Sequence, residues 1–390
     1  METRTVRLGD FATFVNEKCY LNEASRNTYV STENLKPNRL GVFFPITKLP
    51  QTNKVNTFAK GDILIANIRP YFKKIWQANI AGTHSTDVLN IRSNSKQLLQ
   101  SYLAVVLSDD RFFDYMMATS KGTKMPRGDK KAIMDFKFEL PSFKDQIIIS
   151  DSISVINQKI ELNRQINKNL LKLIDNIYIR EYFANSQVVL ADHVALSDLV
   201  QTKTKTFNPK KTSETLVNHF SMPAFDEAHY PIIDKVTSIK SNKNIVEPFS
   251  VLVSKMNPQV KRVWLPNISD KILNVASTEF LTFNADSAEM QAFIYAIVNN
   301  KSYKQFLMSN TTGSTNSRQR VLPRVAYSFE IAFNRIKAER LGKLLVPFLE
   351  KIKLTKSEIQ RLKKLRALLL PKLLSGSINL SSMEEAMKNA

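Results

Sequence analysis

The sequence predicts an α+β protein with an internal pseudo-two-fold repeat: two similar α/β domains, separated by two long helices that pair as an antiparallel coiled coil. Three observations predict this architecture. The chain has 390 residues, enough for two or three domains. Similar segments recur at an offset of about 190 residues. After each copy, apolar residues recur at alternating steps of three and four over a long stretch.

The repeat is clearest around the two tryptophans, Trp76 and Trp264. Each ends a segment with a β-rich apolar run, a proline and a basic pair. Further pairs of segments match at offsets of 191 to 192, namely HSTDVLNI (84–91) with ASTEFLTF (276–283), and QSYLAVVLSDDRFFDYMMATSKGT (100–123) with QAFIYAIVNNKSYKQFLMSNTTGST (291–315). Each copy therefore predicts short strands, one amphipathic helix (97–118 or 287–309), a polar loop and a final strand, which is typical of an α+β fold.

The two long helical patterns share their polar interruption as well as their apolar ladder. Shifting the first ladder by 192 residues places Asn163 on Thr355. A polar residue in a coiled-coil seam lowers stability but selects one register. We therefore expect the helices to pair with each other, and the alternative is that each packs on its own domain. The residues expected at the seam are Ile153, Ile156, Ile160, Asn163, Leu170, Leu345, Phe348, Ile352, Leu362 and Leu369.

These patterns also predict the domain boundaries. We expect a first domain over 1–144, a central helical spacer over 145–185, a second domain over 186–334, a distal helical spacer over 335–376 and a C-terminal tail over 377–390.

Charge and composition narrow the class of protein. The net charge of +21 and the pI near 9.8 favour a polyanionic partner, either nucleic acid or an anionic membrane face. The single cysteine, Cys19, excludes an intramolecular disulfide and argues against a thiolate zinc site. His219 and His229 lie near each other, but an ordinary loop is expected there rather than a metal site. Without a membrane-length apolar run or a signal-peptide core, the sequence predicts a soluble cytoplasmic protein.

The familiar catalytic motifs are missing from the sequence. Its nine glycines are scattered and form neither a GxxxxGK[ST] nor a GxGxxG phosphate loop. There is no DPPY-like tetrapeptide of adenine methyltransferases, no HExxH and no GxSxG. Together these absences indicate that the chain carries out little chemistry itself.

The residues resemble the specificity subunit of type I restriction–modification systems over nearly the whole chain. That family's plan is a target-recognition domain, a central helical region, a second target-recognition domain and a distal helical region. The segments that carry the resemblance are LGDF (8–11), YVSTENL (29–35), GDILIANIRPYFKK (61–74), FELPS (138–142), SMPAFD (221–226) and LLPKLLSGSI (369–378). The second copy departs from the pattern, with LSDLV (196–200) in place of LGDF and FSVLV in place of GDILI, so we expect local differences there.

The resemblance implies a subunit without catalytic activity. Each recognition domain would read one half of a split target in double-stranded DNA. The helices would set the gap between the halves and hold two modification (methyltransferase) subunits, which restriction subunits then join. No cofactor is expected on this chain, because S-adenosylmethionine, ATP and Mg²⁺ would bind the partner subunits. No membrane partner is implied.

Two basic loops occupy equivalent positions in the repeats and are the first candidates for DNA contact. Glycine permits a tight turn, hydroxyl groups and lysine suit phosphates, and arginine or glutamine can read base edges. The alternative is a solvated basic loop. The candidates are Lys121, Gly122, Thr123, Lys124, Arg127, Lys130 and Lys131 in the first loop, and Gly313, Ser314, Arg318, Gln319, Arg320 and Arg324 in and after the second.

Three further basic segments are weaker candidates. Arg69 with the pair Lys73–Lys74, and the matched pair Lys261–Arg262, could contact phosphate, although neighbours on a strand cannot all face one way. Lys203 and Lys205 lie in TKTKTFNPKK (202–211), which fits either an arm beside phosphates or a charged edge strand.

The two basic loops differ in sequence, so the two half-sites should differ and the whole target should be asymmetric. Two other classes stay open at this point. A non-catalytic coiled-coil scaffold or regulatory protein could use the basic face to bind RNA or an anionic surface, but the matched loops would then have no explanation. An enzyme acting alone, such as a nuclease or methyltransferase, has no supporting motif.

Overall fold

The computed structural model describes residues 2–44, 48–185, 191–312, 319–378 and 380. The chain divides into two compact units: residues 1–158 with 362–390, and residues 159–361. Each unit combines one α/β domain with a stretch of both long helices. Across the described ranges, none of the helices is both long and apolar enough to cross a membrane.

In its described residues, the α/β domain of the first unit has ten strands and three short helices. Its strands are β1 (Thr3–Arg7), β2 (Ala12–Phe14), β3 (Lys18–Tyr20), β4 (Tyr29–Val30), β5 (Lys54–Phe58), β6 (Ile63–Ala66), β7 (Ile75–Gln77), β8 (Gly82–His84), β9 (Val88–Ser93) and β10 (Lys137–Pro141). Its helices are α1 (Gln100–Leu107), α2 (Asp110–Ala118) and α3 (Lys130–Met134), with single 3₁₀ turns at Leu8–Asp10, Leu21–Glu23 and Pro70–Phe72.

The described strands of this domain form three sheets. One four-stranded sheet has the order β2-β9-β6-β7, and a second has the order β3-β5-β8-β4. The first and last strands, β1 and β10, form a separate antiparallel pair that joins the two ends of the domain. Strand β6 reads ILIA and is buried on both faces, as its central position in the sheet requires. The sheet packs against α1 and α2 in one apolar core.

The second unit repeats these elements. Its strands are β11 (His193–Ala195), β12 (Thr206–Phe207), β13 (Leu216–Phe220), β14 (Ile232–Lys235), β15 (Lys243–Ile245), β16 (Ser250–Ser254), β17 (Val263–Trp264), β18 (Leu273–Ser277), β19 (Phe280–Asn284) and β20 (Glu330–Ala332). Between or after them lie α5 (Leu196–Leu199), α6 (Met222–Ala228), α7 (Ala288–Asn299), α8 (Lys301–Ser309), α9 (Pro323–Tyr327) and a 3₁₀ turn at Val236–Ser238.

The sheet topology confirms the internal repeat. The order β12-β15-β18-β13 in the second domain matches β3-β5-β8-β4 in the first, and β14 is an added edge strand. In both sheets one pair is parallel, β4 with β8 and β13 with β18, while the other matched pairs are antiparallel. The sheet β17-β16-β19 matches β7-β6-β9, and β11 pairs with β20 as β1 pairs with β10.

Each predicted amphipathic helix is in fact two helices. In the first domain α1 ends at Leu107 and α2 begins at Asp110, and the Asp109 carboxylate accepts a hydrogen bond from the Arg111 N–H. In the second domain the Asn300 side chain accepts from the Ser302 N–H at the start of α8. Because a capping side chain satisfies the free N–H groups of a new helix, each break is built into the sequence.

The two long helices are α4 (Phe143–Tyr178), which continues into a π turn at Ile179–Phe183, and α10 (Arg335–Leu374). Each begins at a capping residue. The Ser142 hydroxyl accepts from the Asp145 N–H, and the Asn334 side chain accepts from the Lys337 N–H, 192 residues later. At the far end of α10, Gly376 takes the left-handed conformation that commonly ends a helix.

The helices pair antiparallel inside both units, which confirms the predicted coiled coil. In the first unit, Arg366 Nη1 lies 2.6 Å from Asn157 Oδ1. In the second unit, Asn163 donates to Glu358 at 2.9 Å and Thr355 donates to Asn167 at 2.5 Å. Partner numbers fall along one helix as they rise along the other, as antiparallel pairing requires. The alternative also holds in part, since each helix also packs on the α/β domain of its unit.

Burial along the seam follows the expected ladder with local shifts. Buried at the expected positions are Ile153, Ile156, Ile160, Asn163, Leu345 and Ile352. Half-buried are Leu170, Phe348, Leu362 and Leu369. In α10 the neighbours Leu349 and Leu370 take the buried positions next to Phe348 and Leu369. A straight α-helix has about 3.6 residues per turn, whereas a heptad repeat assumes about 3.5. Residues at strict heptad positions therefore rotate gradually away from the contact face along a straight helix.

The second domain has FSVLV where the first has GDILI. The residue at the start of this segment differs, but both residues have a positive φ. Gly61 has φ +96°, a region that favours glycine. At the matched position, 188 residues later, Phe249 has φ +59°. The turn before the central strand is therefore left-handed in both domains, and the second domain holds a bulky residue in a strained conformation. The two domains therefore differ here in the side chain and in backbone strain, and they share the left-handed turn.

Candidate DNA interface

The basic loop of the first domain folds back on itself as a tight hairpin. The backbones of Lys121 and Arg127 exchange two hydrogen bonds, of 2.8 and 2.9 Å. Gly122 has φ +89°, which supplies the tight turn expected from the sequence. The tip residues Thr123 and Lys124 are exposed. The hairpin therefore presents short polar and cationic side chains on a closed backbone.

This hairpin docks on the turn that follows β6. The Arg69 N–H donates to the Pro126 carbonyl at 2.8 Å, and the Gly128 N–H donates to the Asn67 carbonyl at 3.1 Å. A Cβ atom at Gly128 would lie 2.8 Å from Asn67 Oδ1 and closer still to Met116 Cε, so a larger residue there would require these side chains to move. The fold thus brings the basic loop into contact with the turn at Arg69. The sequence analysis had treated these two segments as separate candidates.

In the second domain the described ends of the basic loop make matching contacts. The backbones of Thr312 and Arg320 exchange hydrogen bonds of 2.8 and 2.9 Å. The Asn257 N–H donates to the Gln319 carbonyl at 2.9 Å, and Asn257 has φ +46° where Arg69 has +53°. The candidates Gly313, Ser314 and Arg318 lie outside the described residues. Arg324 is exposed on α9.

The two arginines that close the hairpins make matched ion pairs. Arg127 lies 3.0 Å from Asp87, and Arg320 lies 3.1 Å from Glu279. The arginine side chains remain about half exposed, at 50% and 54%. Sequence reasoning missed the two carboxylates, although their offset of 192 residues in the matched segments HSTDVLNI and ASTEFLTF was a usable signal. The pairs orient each guanidinium while leaving part of it accessible.

Aspartates also hold other cations of the first domain. Lys121 lies 2.5 Å from Asp129, whose pKa is lowered by this lysine and by the N–H groups at the start of α3. Lys73 lies 2.5 Å from Asp110, which also pairs with Arg39. Burial alone would raise the pKa of Asp110, but hydrogen bonds from these two cations outweigh it and lower the pKa. These carboxylates therefore stay ionised beside the basic groups.

The basic pairs are not on strands, which corrects the sequence expectation. Lys73 and Lys74 lie between the 3₁₀ turn at Pro70–Phe72 and β7, and Lys261 and Arg262 precede β17. Each of the four has a partner within the protein. Lys74 donates to the Thr32 carbonyl, Lys261 donates to the Asn299 carbonyl, and Arg262 makes two hydrogen bonds to Asp226 of 2.6 and 2.9 Å. Burial lowers the pKa of both Lys74 and Lys261.

The remaining candidates are at the surface. Lys130 and Lys131 begin α3, with the Lys130 ammonium 5.8 Å from the ring centre of Phe14. Lys203 and Lys205 are exposed and precede β12, an edge strand of its sheet. Lys205 also lies 3.4 Å from Glu247. This segment thus adjoins a sheet edge with exposed lysines, which is compatible with both of the functions considered for it.

No group of side chains suited to a metal occurs in the described part of the chain. His219 lies on β13, not in a loop, and its Nδ1 is 2.7 Å from Asp234. Burial lowers the pKa of His219 despite this carboxylate. His219 therefore pairs with a carboxylate of the neighbouring strand β14.

The fold of the whole chain is similar to a solved type I S subunit. Over 96% of both chains it superposes on the crystal structure of a type I restriction–modification S subunit from M. genitalium, with a TM-score of 0.60 at 13% sequence identity. At this identity the likeness concerns the fold. The match covers both domains and both long helices.

Sequence comparison finds similarity to type I specificity subunits. The sequence profile described as "Type I restriction modification DNA specificity domain" matches residues 2–172. The type I restriction enzyme HindI specificity subunit of Haemophilus influenzae (strain ATCC 51907 / DSM 11121 / KW20 / Rd) is 26% identical over 198 residues. That alignment spans 49% of this chain and 43% of the relative, less than half of its length. The resemblance to type I specificity subunits predicted from the sequence is thereby confirmed.

Proposed function

We propose that this chain is the DNA sequence-recognition subunit of a type I restriction–modification complex, with each α/β domain reading one half of an asymmetric, bipartite target. One observation carries the proposal. In both domains the two ends of a basic loop pair with each other and dock, through matched backbone hydrogen bonds, on a left-handed turn after the central strand. Two basic surfaces that are similar but not identical suit two different half-sites of one duplex.

The chemistry that each hairpin offers suits DNA. Exposed lysines and hydroxyl groups can position the phosphate backbone, while an arginine oriented by a carboxylate can address base edges in a groove. In the first domain Lys124 would provide the former contact and Arg127 the latter. In the second domain Arg320 takes the place of Arg127. Their ion pairs with Asp87 and Glu279 would set the direction of each guanidinium.

The long helices would set the gap between half-sites and bind two modification subunits. Repeat-equivalent leucines support a duplicated docking surface. Leu162 and Leu354 are 50% and 63% exposed, and Leu173 and Leu365 are 41% and 44% exposed. Each pair is separated by 192 residues. Exposed apolar residues at matched positions are typical of a protein interface used twice.

The rest of the assignment follows from this function. The recognition domains are proposed to be 1–144 and 186–334, with spacers at 145–185 and 335–376 and a tail at 377–390. The chain itself would be non-catalytic and carry no cofactor. S-adenosylmethionine would bind the modification subunits, and ATP with Mg²⁺ would bind restriction subunits where they are present. The complex would act in the cytoplasm, on double-stranded DNA.

The decisive experiment is the methylome of cells that express this chain together with its modification subunit. The expected result is a bipartite motif with two different halves and a constant gap. A palindromic motif would contradict the asymmetric reading, and no methylation above background would contradict the assignment as a whole.

Direct binding provides a second measurement. The complex should bind a duplex with that motif, and its affinity should fall as salt rises. Lys124→Ala should weaken binding to specific and unrelated duplexes alike and reduce the salt slope by about one. Lys18→Ala, on the edge strand β3 of the same domain, is a matched control expected to leave binding unchanged. Equal effects of both variants would argue for a diffuse basic surface.

A further inference from the structure

Two adjacent aromatic side chains lie exposed among basic residues of the first domain. Tyr71 and Phe72 are 47% and 39% exposed, and their ring centres are 4.6 Å apart. They belong to the 3₁₀ turn at Pro70–Phe72, between Arg69 and Lys73. Apolar rings at a surface cost free energy in water, so their exposure indicates a binding role more strongly than exposed lysine does.

Hydrogen bonds within the turn and from two other segments fix the backbone that carries these rings. Inside the turn, the Phe72 N–H donates to the Arg69 carbonyl at 3.0 Å. From outside, the Asn38 N–H donates to the Phe72 carbonyl at 2.8 Å, and the hairpin carbonyl of Pro126 accepts from Arg69. Arg69, Lys73, Asn38 and Arg39 all have φ between +50° and +59°. Strained non-glycine residues persist where the surroundings hold them, and they cluster at functional sites.

The partner of this pair is indicated by the charges around it. The Lys74 ammonium lies 5.8 Å from the ring centre of Phe72 and so covers one side of the aromatic pair. Arg69 is exposed beside the pair, and the docked hairpin adds Lys121, Lys124 and Arg127. An apolar tip surrounded by cations suits a polyanion with apolar faces inside it, which describes the stacked bases of DNA.

The second domain makes the same turn without aromatic rings. Residues 188 positions after Tyr71 and Phe72 are Gln259 and Val260. The Val260 N–H donates to the Asn257 carbonyl at 2.9 Å, as Phe72 does to Arg69. Pro70 and Pro258 are both buried at the start of the turn. The two domains therefore share a backbone and differ in what its tip presents.

We propose that Tyr71, supported by Phe72, inserts between bases of the first domain's half-site and unstacks one base step, while the second domain reads its half-site without such a wedge. This inference rests on the proposed function and adds a mode of recognition to it. A wedge selects sequence through the cost of opening a step, which is lowest at flexible pyrimidine–purine steps. One half-site should therefore contain such a step at the wedge position.

The test uses the full chain in complex with its modification subunits. The probes are duplexes with the motif from the methylome, in which 2-aminopurine replaces one base at a time, so that fluorescence rises where stacking is lost. The wild-type complex should raise fluorescence at one step of one half-site only. The double substitution Tyr71→Gln with Phe72→Val copies the tip of the second domain. It should abolish that signal and weaken binding about ten- to a hundred-fold.

Controls separate the wedge from folding and from charge. The turn tolerates Gln and Val in the second domain, so the double variant should fold. Tyr71→Phe should keep both the signal and the affinity. The double variant should leave the salt slope unchanged because no cation is lost, whereas Lys124→Ala should lower it by about one and keep the fluorescence signal. Gln259→Ala with Val260→Ala should leave the signal in the first half-site intact.

The outcomes distinguish the two proposals. If the wild-type complex does not bind the motif duplex, the proposed function fails. If it binds but no position gains fluorescence, or if the double variant binds as tightly as the wild type, the wedge is overturned and the proposed function stands.

Discussion

His84 illustrates how burial sets the behaviour of a single side chain. It is 2% exposed, and its Nδ1 lies 2.9 Å from the Ser85 carbonyl. Burial lowers the pKa of His84, so the folded state favours the neutral ring more than the unfolded chain does. The unfolded state, with a pKa near 6.5, therefore binds a proton first as the pH falls. The stabilisation is complete above about pH 6.5 and is lost progressively below it.

We therefore predict that His84 makes the protein acid-sensitive. The free energy of unfolding should fall by up to about 1.4 kcal/mol per pH unit from this residue as the pH drops below 6.5. His84→Gln should flatten this part of the profile, measured by urea denaturation between pH 5 and 7.5. His193→Gln, at an exposed position on β11, should not. An unchanged profile in the His84 variant would contradict the assignment.

At the scale of elements, the helix pair carries a buried polar contact at a defined place. Thr355 and Asn167 are 2% and 8% exposed, and the threonine hydroxyl donates to the asparagine side-chain oxygen at 2.5 Å. The nearby Asn163 donates to Glu358. Such contacts add little stability but disfavour other registers, because any shift would leave buried polar groups without partners.

Thr355→Val should destabilise the second unit by about 1–3 kcal/mol, because it leaves the Asn167 oxygen buried without its donor. Adding Asn167→Leu removes the second polar group. The double variant should therefore recover most of the loss in urea denaturation. A double variant as unstable as the single one would show that the loss comes from packing instead.

The repeated leucines of the helices yield a prediction about stoichiometry. Leu162→Glu and Leu354→Glu should each reduce the number of bound modification subunits from two to one, and the double variant should bind none. Native mass spectrometry of co-expressed complexes measures this directly. Val155→Glu is the control, since Val155 is 59% exposed but has Pro347 at its matched position. Loss of both subunits from one single substitution would exclude two independent docking surfaces.

At the scale of the whole molecule, recognition of the half-sites and the length of the gap between them should depend on different parts of the chain. The contacts proposed for the half-sites lie in the α/β domains, whereas the gap would depend on helix length. A heptad advances a helix by about 10 Å while nearly preserving its face. The two functions should therefore respond to different changes in the chain.

Deleting one heptad from each long helix, at paired positions, should shorten the gap of the methylated motif and leave both half-sites unchanged. The methylome of cells that express the deletion variant gives both quantities at once. Deleting the heptad from one helix only is the control, and it should abolish methylation by breaking the antiparallel register. Altered half-sites in the paired deletion would show that the helices do more than set the gap.

The sequence by itself determined the repeat, the α+β class, the antiparallel helix pair and the resemblance to specificity subunits. These follow from patterns that are local or recur at one offset: apolar periodicity, capping residues and matched segments. The position of the basic loops within each copy could be predicted for the same reason, because the loops recur at that offset.

Only the tertiary structure decided which residues meet. It docked each hairpin on the turn after the central strand, paired Arg127 with Asp87 and Arg320 with Glu279, and directed Lys73, Lys74, Lys261 and Arg262 toward partners within the protein. It also exposed Tyr71 and Phe72, which composition alone would assign to a core. The physical reason is that contacts between distant segments depend on sheet order and backbone direction. Sheet order and backbone direction produce no periodic pattern in the sequence of the segments that come into contact.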